Sequence, residues 1–508
     1  MGGTMVRRPR TAAASLTIVV LILAAIAVSA DAACDGSWNI VQSPNVGEPG
    51  GDFDNGLSSL AVVSPSDIWA VGNWGTYGAA RSTLAMRWNG SSWTKFNTPN
   101  GSNEVNWLLS ADAIASNNVW AVGYSATNPP EQSTSKTLIE RWNGSAWSVV
   151  PSPNPNVPLP GGAPISNELY GVAAVSANDV WAVGLSRNVT DGRTLIVHWN
   201  GTTWSVVPSP HPGTYSWLRS ISVVAPNDIW AAGTYYNNGN QVTLILRWNG
   251  TTWNIVPSPN DGPFVQELFK IRAVSTNDVW AVGYHNQVFG FSQHFQTSIF
   301  HWNGTAWSVV PSPDVNQLNN YLWSVDGTSA TDAWAVGFYD TGFELRTMTQ
   351  HWDGTSWTIQ PSPNSSDYID ELVDVATISP TDVWTVGQAT GFFTFKTLTM
   401  HRTATCTGSA LHVSSITPST TRNAVKASVG IVDAGGAKVA GAAVTVTITK
   451  PGGAQVTQTK TTGTTGSAQF STATSGPGTY TFTVTNVSKA GFTYDSSANA
   501  ETSDSITI

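Results

Sequence analysis

The chain has 508 residues, more than one ordinary hydrophobic core supports, so several domains or a repeat array are expected. Charged residues make up only 11% of it, whereas it contains 24 Trp, 46 Gly and 28 Pro. Disordered chains are poor in aromatic residues and rich in charge, and helical proteins avoid this much Gly and Pro, so both classes are excluded. The net charge of −9 provides no basic surface for a nucleic-acid backbone, and no nucleic-acid partner is expected.

The N-terminus has the composition of a secretory signal peptide. Three arginines between residues 7 and 10 precede an apolar run from about residue 12 to residue 30, and small residues follow it. This order directs export, and we expect cleavage after Ala30 or Ala32. The alternative is that the apolar run is retained as a membrane anchor. Residues 1–33 are therefore predicted to be a signal peptide, and the remainder to be secreted or held at the cell surface with no further membrane span.

A repeat dominates the next part of the chain. The string W-A-V-G, or a near copy, occurs seven times, with successive copies 49 to 61 residues apart. A polar turn that ends in Asp or Asn precedes each copy, and an apolar stretch follows it. In most copies the apolar stretch leads into a W-N-G turn, which is followed by another Trp and by a segment such as P-S-P. Twenty of the 24 Trp occupy these repeated positions, so Trp is a framework residue here. The copies begin at Trp69, Trp120, Trp181, Trp230, Trp280, Trp334 and Trp384.

Each repeat predicts four short strands. In the third repeat we expect them at residues 169–175, 180–185, 194–199 and 203–207, and the Asn-Gly turn before the last one is a strong hairpin signal. Four-stranded units of about 50 residues are typical of the blades of a β-propeller. We therefore predict an all-β fold in which residues 34–406 form a seven-bladed β-propeller.

The two ends of the repeat region complement each other. Residues 38–44 match the fourth strand of a repeat, whereas the third strand at residues 397–402 is followed by no fourth strand. The N-terminal strand is therefore expected to complete the last blade, which closes the ring and hides the sheet edges. Cys34 lies four residues before Trp38, and Cys406 lies four residues after Arg402. Both cysteines fall in the same turn of the repeat, and we predict a disulfide between them.

The composition changes after Cys406. Residues 410–508 contain no Trp and have alternating runs such as AVTVTI at residues 443–448, which predicts a β-sandwich over residues 407–508. The segments at residues 429–446 and 478–484 resemble bacterial Ig-like domains. That resemblance implies a spacer or adhesive module and brings no catalytic residues with it.

The repeats also resemble the kelch and tectonin types of propeller. The likeness to tectonin lies in a Ser-x-x-Asp-type turn followed by V-W-A-V-G, and in a strand that ends in W-N-G before another Trp, and it covers roughly residues 34–402. Tectonin-type propellers bind glycans, so the resemblance implies carbohydrate binding. The paired glycines of kelch blades and the Asp-boxes of sialidases are missing from the sequence.

The connections between the predicted strands point to one face as the working surface. First-to-second and third-to-fourth connections are short and nearly uniform, whereas the connections on the opposite face vary widely. Loops that vary on a rigid frame are where binding usually occurs. The variable face is therefore the candidate site.

A second pattern stands thirteen residues before each W-A-V-G Trp, at the start of the innermost predicted strand. The first repeat has Gly56 there, and aromatic and carboxylate side chains alternate in the other six. Rings that stack on sugar faces, beside carboxylates that bind hydroxyls, suit a saccharide site at the channel mouth. The alternative is a structural role, with each Glu bonded to a neighbouring backbone N–H and the aromatic residues filling the channel. The candidate ligand-binding residues are Trp107, Glu168, Trp217, Glu267, Tyr321 and Glu371.

A basic residue precedes the third-strand Trp, or its equivalent Arg402, in every repeat. We expect it to pair with the turn Asp or with a backbone carbonyl, which is a structural role. The seven residues are Arg87, Arg141, His198, Arg247, His301, His351 and His401. No cofactor and no metal site are predicted, since His285 and His294 share a loop but lack further ligands at metal spacing.

Three functional hypotheses follow. The first is a monomeric, non-catalytic recognition module that binds a glycan or a surface protein through the variable face. The second is a secreted carbohydrate-active hydrolase or lyase, in which carboxylates at the channel mouth act as acid and base. The third is a structural surface protein that assembles with itself or with its neighbours.

Overall fold

The structure is a computed structural model. It describes residues 35–47, 53–76, 80–102, 104–127, 134–156, 165–188, 190–289, 292–366, 368–390, 394–405, 410–421, 423–433, 436–489 and 492–508. The predicted signal peptide, Cys34 and Cys406 lie outside these residues. Within them the chain is all-β apart from one short 3-10 turn at Ser496–Ala498, which confirms the all-β part of the predicted fold class. No helix in these ranges is long and apolar enough to cross a membrane.

The first 28 strands of the described residues build antiparallel units of four strands each. The N-terminal strand is β1 (Asp35–Ile40). The first three units are β2 (Phe53–Ser64), β3 (Asp67–Thr76), β4 (Arg81–Trp88) and β5 (Trp93–Phe96); β6 (Val105–Ala115), β7 (Asn118–Ala126), β8 (Lys136–Trp142) and β9 (Trp147–Val149); and β10 (Ser166–Ser176), β11 (Asp179–Arg187), β12 (Gly192–Trp199) and β13 (Trp204–Val206). The strands of the third unit agree with the predicted positions to within a few residues.

Three further complete units follow in the chain, and a seventh is completed by β1. The fourth to sixth units are β14 (Ser216–Ala225), β15 (Asp228–Asn237), β16 (Asn240–Trp248) and β17 (Trp253–Ile255); β18 (Gln266–Ser275), β19 (Asp278–Phe289), β20 (Ser292–Trp302) and β21 (Trp307–Val309); and β22 (Asn320–Ser329), β23 (Asp332–Asp340), β24 (Leu345–Trp352) and β25 (Trp357–Gln360). The last unit contains β26 (Ile369–Ser379), β27 (Asp382–Thr390) and β28 (Phe395–Thr405).

The W-N-G turns explain why the third and fourth strands of a unit form a hairpin. In the second unit, Asn143 Oδ1 accepts hydrogen bonds from the backbone N–H of Ser145 at 2.9 Å and of Ala146 at 3.0 Å. Gly144 has a φ of 96°, a backbone conformation that residues other than glycine rarely adopt. The turn chemistry is therefore local, which is why the sequence motif predicts it.

The first strand of the described chain pairs with the last strand of the repeat region. β1 runs antiparallel to β28, with Trp38 opposite Arg402, and the Val41 N–H donates to the Thr399 carbonyl at 2.9 Å. The last described pair of this ladder is Asp35 and Thr405, the chain neighbours of Cys34 and Cys406.

Tryptophan clusters join each unit to the next. Trp69 of the first unit lies 4.9 Å from Trp142 and 5.3 Å from Trp147 of the second, measured between ring centres. Trp384 of the last unit lies 4.8 Å from Trp88 of the first. The first strands of successive units also contact one another, and β26 contacts β2. The units therefore pack side by side around a central channel, which is the architecture of a β-propeller.

The basic residue before the third-strand Trp pairs with the turn residue of its own unit, which confirms its predicted structural role. His198 Nε2 lies 2.8 Å from Asp179, and the His198 ring stacks 4.1 Å from Trp181. Further pairs are Arg87–Asp67 at 2.7 Å, Arg247–Asp228 at 2.8 Å, His301–Asp278 at 2.8 Å, His351–Asp332 at 2.9 Å, His401–Asp382 at 2.7 Å and Arg141–Asn118 at 2.9 Å.

The C-terminal strands form two sheets that share one apolar core. The strands are β29 (His412–Thr421), β30 (Ala424–Val432), β31 (Ala443–Thr449), β32 (Gln455–Thr461), β33 (Ser467–Ala473), β34 (Thr479–Ser488) and β35 (Ser503–Thr507). One sheet has the order β29-β30-β33 and the other the order β32-β31-β34-β35. Val444, Val446 and Ile448 are buried on one side of β31, as its alternating sequence predicts.

Candidate binding site

A β-bulge in the first strand of each unit decides which side chains face the channel. The pairing of β2 with β3 shifts between Leu57 and Ser59, and the same shift recurs one residue after the corresponding Leu in the other six units. A bulge re-aims the extra side chain. The bulged residues all line one central cavity: Ser58, Leu109, Tyr170, Arg219, Phe269, Trp323 and Val373.

The central cavity has a volume of about 350 Å³. It is also lined by Arg81 and Phe395, which begin third strands, so it opens on the face that carries the variable connections. Trp107 and Glu371, two of the predicted site residues, lie in its wall. This cavity is therefore the channel mouth that the sequence pattern pointed to.

One wall of the cavity is a stack of bulged residues from four consecutive units. The Arg219 guanidinium lies 4.8 Å from the ring centre of Tyr170 and 5.4 Å from that of Phe269. Phe269 stacks in turn on Trp323, with 4.3 Å between the ring centres. All four side chains are half-buried. The stack therefore holds aromatic groups in fixed positions at the channel mouth.

The opposite wall is polar. Arg81 donates to Asp54 at 3.0 Å, and its guanidinium lies 5.4 Å from the ring centre of Trp107. Trp107 is nearly parallel to Tyr124, with an interplanar angle of 9° and 6.2 Å between ring centres. Glu371 accepts a hydrogen bond from Gln388 Nε2 at 2.8 Å. Aromatic and polar groups thus face the same cavity from two sides.

An ion pair crosses the channel below this cavity. Lys270 Nζ of the fifth unit lies 2.7 Å from Asp374 Oδ1 of the seventh, and the sixth unit separates their strands. Asp374 also accepts hydrogen bonds from the Leu60 N–H at 2.9 Å, Ser59 Oγ at 3.0 Å and Ser324 Oγ at 2.6 Å. The pair lines both the central cavity and a further cavity of about 390 Å³ deeper in the channel.

Two of the three predicted glutamates already have cationic partners. Glu267 accepts from Arg219 Nε at 2.8 Å, from Trp217 Nε1 at 3.1 Å and from the Tyr284 hydroxyl at 3.1 Å. Glu168 lies 3.0 Å from Arg187 Nη2 and accepts a further hydrogen bond from the Tyr170 hydroxyl. Both glutamates are buried, so they orient neighbouring side chains.

Glu371 differs from the other two glutamates. Burial raises the pKa of its carboxyl, and the Gln388 amide opposes this rise. Among the described residues, no cation forms an ion pair with it. It is therefore the predicted carboxylate with the most remaining capacity to bind a ligand.

The six predicted residues occupy different parts of the mouth instead of one ring. Trp107 and Glu371 line the central cavity, Glu267 and Tyr321 line a second cavity, and Trp217 lines a third. Glu168 is attached to that third cavity through Arg187. Between the fourth and fifth units, the aromatic and acidic residues of this pattern are joined directly, by the hydrogen bond from Trp217 to Glu267.

The sequence pattern missed the bulged residues two positions later. They stand eleven residues before the W-A-V-G Trp, next to a Leu that is present in all seven repeats. From the first repeat to the seventh, they are Ser, Leu, Tyr, Arg, Phe, Trp and Val. This variation next to a Leu that every repeat shares is the sequence feature that could have identified them as site residues. In the described part of the chain, no group of three or more His, Cys, Asp or Glu could hold a metal ion.

No protein-family model matches the chain, and no curated protein matches it. Solved structures with similar folds include "YCF48 bound to D1 peptide", at 14% identity and a TM-score of 0.45, covering 74% of this chain and 100% of the other. A GH74 xyloglucanase from Xanthomonas campestris has 11% identity and a TM-score of 0.44 over 78% of this chain and 60% of its own. The six-bladed lectin from Aleuria aurantia has 11% identity and a TM-score of 0.38 over 60% and 96% of the two chains. These similarities are too low to show what this chain binds.

Proposed function

We propose that residues 34–406 form a closed, seven-bladed β-propeller that acts as a secreted or cell-surface recognition module and binds a glycan without catalysis. The seven first-strand bulges around one cavity and the contact of Trp384 with Trp88 support the closed ring. Residues 407–508 are proposed to be an Ig-like domain that serves as a spacer or adhesive module. Its two sheets around one core support this assignment.

The aromatic stack in the channel mouth is the observation that carries the proposed glycan binding. Phe269 and Trp323 present apolar ring surface beside Arg219, and Glu371 and Gln388 lie in the facing wall. Sugar rings have an apolar face that packs on aromatic side chains and hydroxyls that bond to carboxylates and amides. A small number of polar groups in an aromatic cavity is the usual composition of a ligand site.

The state of the carboxylates favours binding over hydrolysis. Cleavage of a glycosidic bond by acid and base needs two available carboxyl groups on either side of the bond. In the described lining of the cavity, Asp54 is paired with Arg81 and Asp374 with Lys270. Glu371 is left without a second unpaired carboxyl group there.

The test is a broad glycan array probed with the mature protein. We expect selective binding that Trp323→Ala and Trp107→Ala each reduce at least about tenfold, because each removes one ring surface from the cavity. Phe343→Ala is the matched control, since Phe343 is 96% exposed and lines none of the three cavities. Incubation with the bound glycans should release no product.

A blank array would refute glycan binding for the sugars sampled and would turn the search to a protein ligand. Product release that is lost in Glu371→Gln would instead establish the carbohydrate-active enzyme. Equal binding by both Trp variants would place the site elsewhere on the protein.

A further inference from the structure

The central cavity is one of three cavities that meet at Arg219. A second cavity of about 530 Å³ shares Arg219, Phe269 and Trp323 with the central one. A third cavity of about 350 Å³ shares Tyr170 and Arg219 with it. The shared residues make the cavities contiguous, so they form a groove that runs along one side of the channel mouth, from the third and fourth units to the sixth.

Both ends of this groove carry aromatic platforms. At the sixth unit, Tyr321 lies 4.9 Å from Phe338 and 5.0 Å from Tyr284 between ring centres. At the fourth unit, Trp217 lies 5.8 Å from Tyr236. With the stack at Arg219 between them, the groove has three separate aromatic surfaces. A ligand that uses all of them is longer than one sugar ring.

Every cation that lines the groove in the described residues is already in an ion pair. The pairs are Arg81–Asp54 at 3.0 Å, Arg187–Glu168 at 3.0 Å, Arg219–Glu267 at 2.7 Å and Lys270–Asp374 at 2.7 Å. Each cation is therefore already balanced by a buried carboxylate, and an acidic sugar would gain less from it than from an unpaired cation.

Two carboxylates of the groove have only neutral donors among the described contacts. Asp340 accepts from the Gly342 N–H at 2.6 Å and from Asn319 Nδ2 at 3.3 Å, and Glu371 accepts from Gln388 Nε2 at 2.8 Å. They can accept hydrogen bonds from sugar hydroxyls, and they repel anions. The charge distribution thus selects against acidic ligands.

Glu267 links the three cavities of the groove through its hydrogen bonds. It bonds Trp217 of the third cavity, Arg219 at the centre and Tyr284 of the second cavity. Aromatic platforms held in this way lose little freedom when a ligand binds, which favours affinity.

We propose that the three cavities form one groove that binds an internal segment of an uncharged polysaccharide chain, several sugars long, along the channel mouth. The inference rests on the proposed glycan-binding function and specifies its ligand class. Chain ends are not needed for recognition, because the groove has aromatic surfaces on both sides of its centre.

The experiment is calorimetric titration of the mature protein with length series of uncharged oligosaccharides, namely cello-, xylo-, manno- and laminari-oligosaccharides of one to six units. Oligogalacturonates of equal lengths serve as the acidic probe. We expect the affinity for at least one uncharged series to rise about a hundredfold or more from the monomer to the hexamer. We expect oligogalacturonates to bind at least about tenfold more weakly than that series.

Variants at the two ends of the groove test its length. Tyr236→Ala, at a side chain that is 39% exposed, and Tyr321→Ala should each weaken hexamer binding about tenfold and so reduce the gain in affinity from dimer to hexamer. Phe343→Ala should change neither, and the melting temperature of each variant reports whether it folds. Binding to sugars without length dependence, or tighter binding of oligogalacturonates, would overturn the inference alone. Failure to bind any sugar on the array or in solution would overturn the proposed function with it.

Discussion

Glu140 is a buried carboxylic acid in the interior of the repeat region. It lies in β8 at a position where other units have Met86, Val197 or Leu246, and it is 0% exposed. Neither carboxyl oxygen has a hydrogen-bond partner of normal geometry in the described part of the chain, and the Thr83 hydroxyl only partly offsets the effect of burial. Burial raises the pKa of Glu140 from 4.5 to about 8, so the side chain is mostly protonated at pH 7.

This residue makes the stability of the protein depend on pH. The folded form keeps a proton that the unfolded chain releases above about pH 4.5, so the free energy of unfolding falls as the pH rises from about 4.5 to about 8. We expect Glu140→Gln to raise the free energy of unfolding at pH 8 by an amount on the order of a few kcal/mol, and to leave it nearly unchanged at pH 4. Urea titrations followed by Trp fluorescence at both pH values measure this difference.

The sixth unit offers the matched control. Gln350 occupies the same position as Glu140, and its amide donates to the Pro313 carbonyl at 2.9 Å and accepts from Ser312 Oγ at 3.1 Å. Gln350→Glu should therefore create the pH dependence that Glu140→Gln removes. Equal pH profiles for wild type and Glu140→Gln would contradict the assignment.

At the scale of elements, a row of hydrogen bonds joins the first strands of neighbouring units. Ser59 Oγ accepts from the Ala111 N–H at 3.2 Å, and Ser110 Oγ accepts from the Val172 N–H at 3.2 Å. Asp374 fills the same role between the last unit and the first, where it accepts from the Leu60 N–H. Because it also bonds Ser324 and Lys270, it links its own first strand to those of three other units.

Loss of Asp374 should therefore destabilise the repeat region strongly. We expect Asp374→Ala to lower the free energy of unfolding by about 3–5 kcal/mol, because it leaves Lys270 unpaired and several donors unsatisfied. Lys270→Ala should cost less, since Asp374 keeps its three neutral donors. Trp fluorescence during denaturant titration measures the repeat region alone, because the last Trp of the chain is Trp384. A larger loss in Lys270→Ala than in Asp374→Ala would refute this ranking.

At the scale of the whole molecule, the proposed ring closure depends on contacts made by β1. Trp38 of β1 is 5% exposed and packs against Trp334, with 5.4 Å between ring centres and an interplanar angle of 87°. Arg402 takes the place of the third-strand Trp of the other units, and its guanidinium lies 4.7 Å from the ring centre of Trp334. The last unit thus reproduces the aromatic cluster with residues that are far apart in the chain.

We expect Cys34 and Cys406 to form a disulfide that locks this closure. Asp35 and Thr405 are paired across the ladder, and each cysteine is the next residue in the chain. The intact mass of the exported protein should show no alkylation until a reductant is added. Cys34→Ser should lower the free energy of unfolding by at most about 5 kcal/mol, and Cys406→Ser should have the same effect. Alkylation without reduction would contradict the cross-link.

Sequence information sufficed for the parts of the fold that depend on local patterns. The strands of the third unit and the Asp179–His198 pair follow from a repeat in which every motif is read within one unit. The W-N-G turn is likewise specified by its own Asn and Gly. Seven copies allowed each position to be compared with its equivalents, which reinforced these predictions.

The candidate site required the tertiary structure, for two physical reasons. A bulge after Leu218 inserts Arg219 as an extra residue that lines the central cavity, and the sequence pattern, which singled out Trp217, gave no sign of this insertion. Ion pairing between units also depends on packing: Arg219 and Glu267 are 48 residues apart in the chain, yet they form one contact. The strands and turns of each unit follow from local motifs that the repeats share. The groove is built from side chains of different units, which come together only when the units pack side by side.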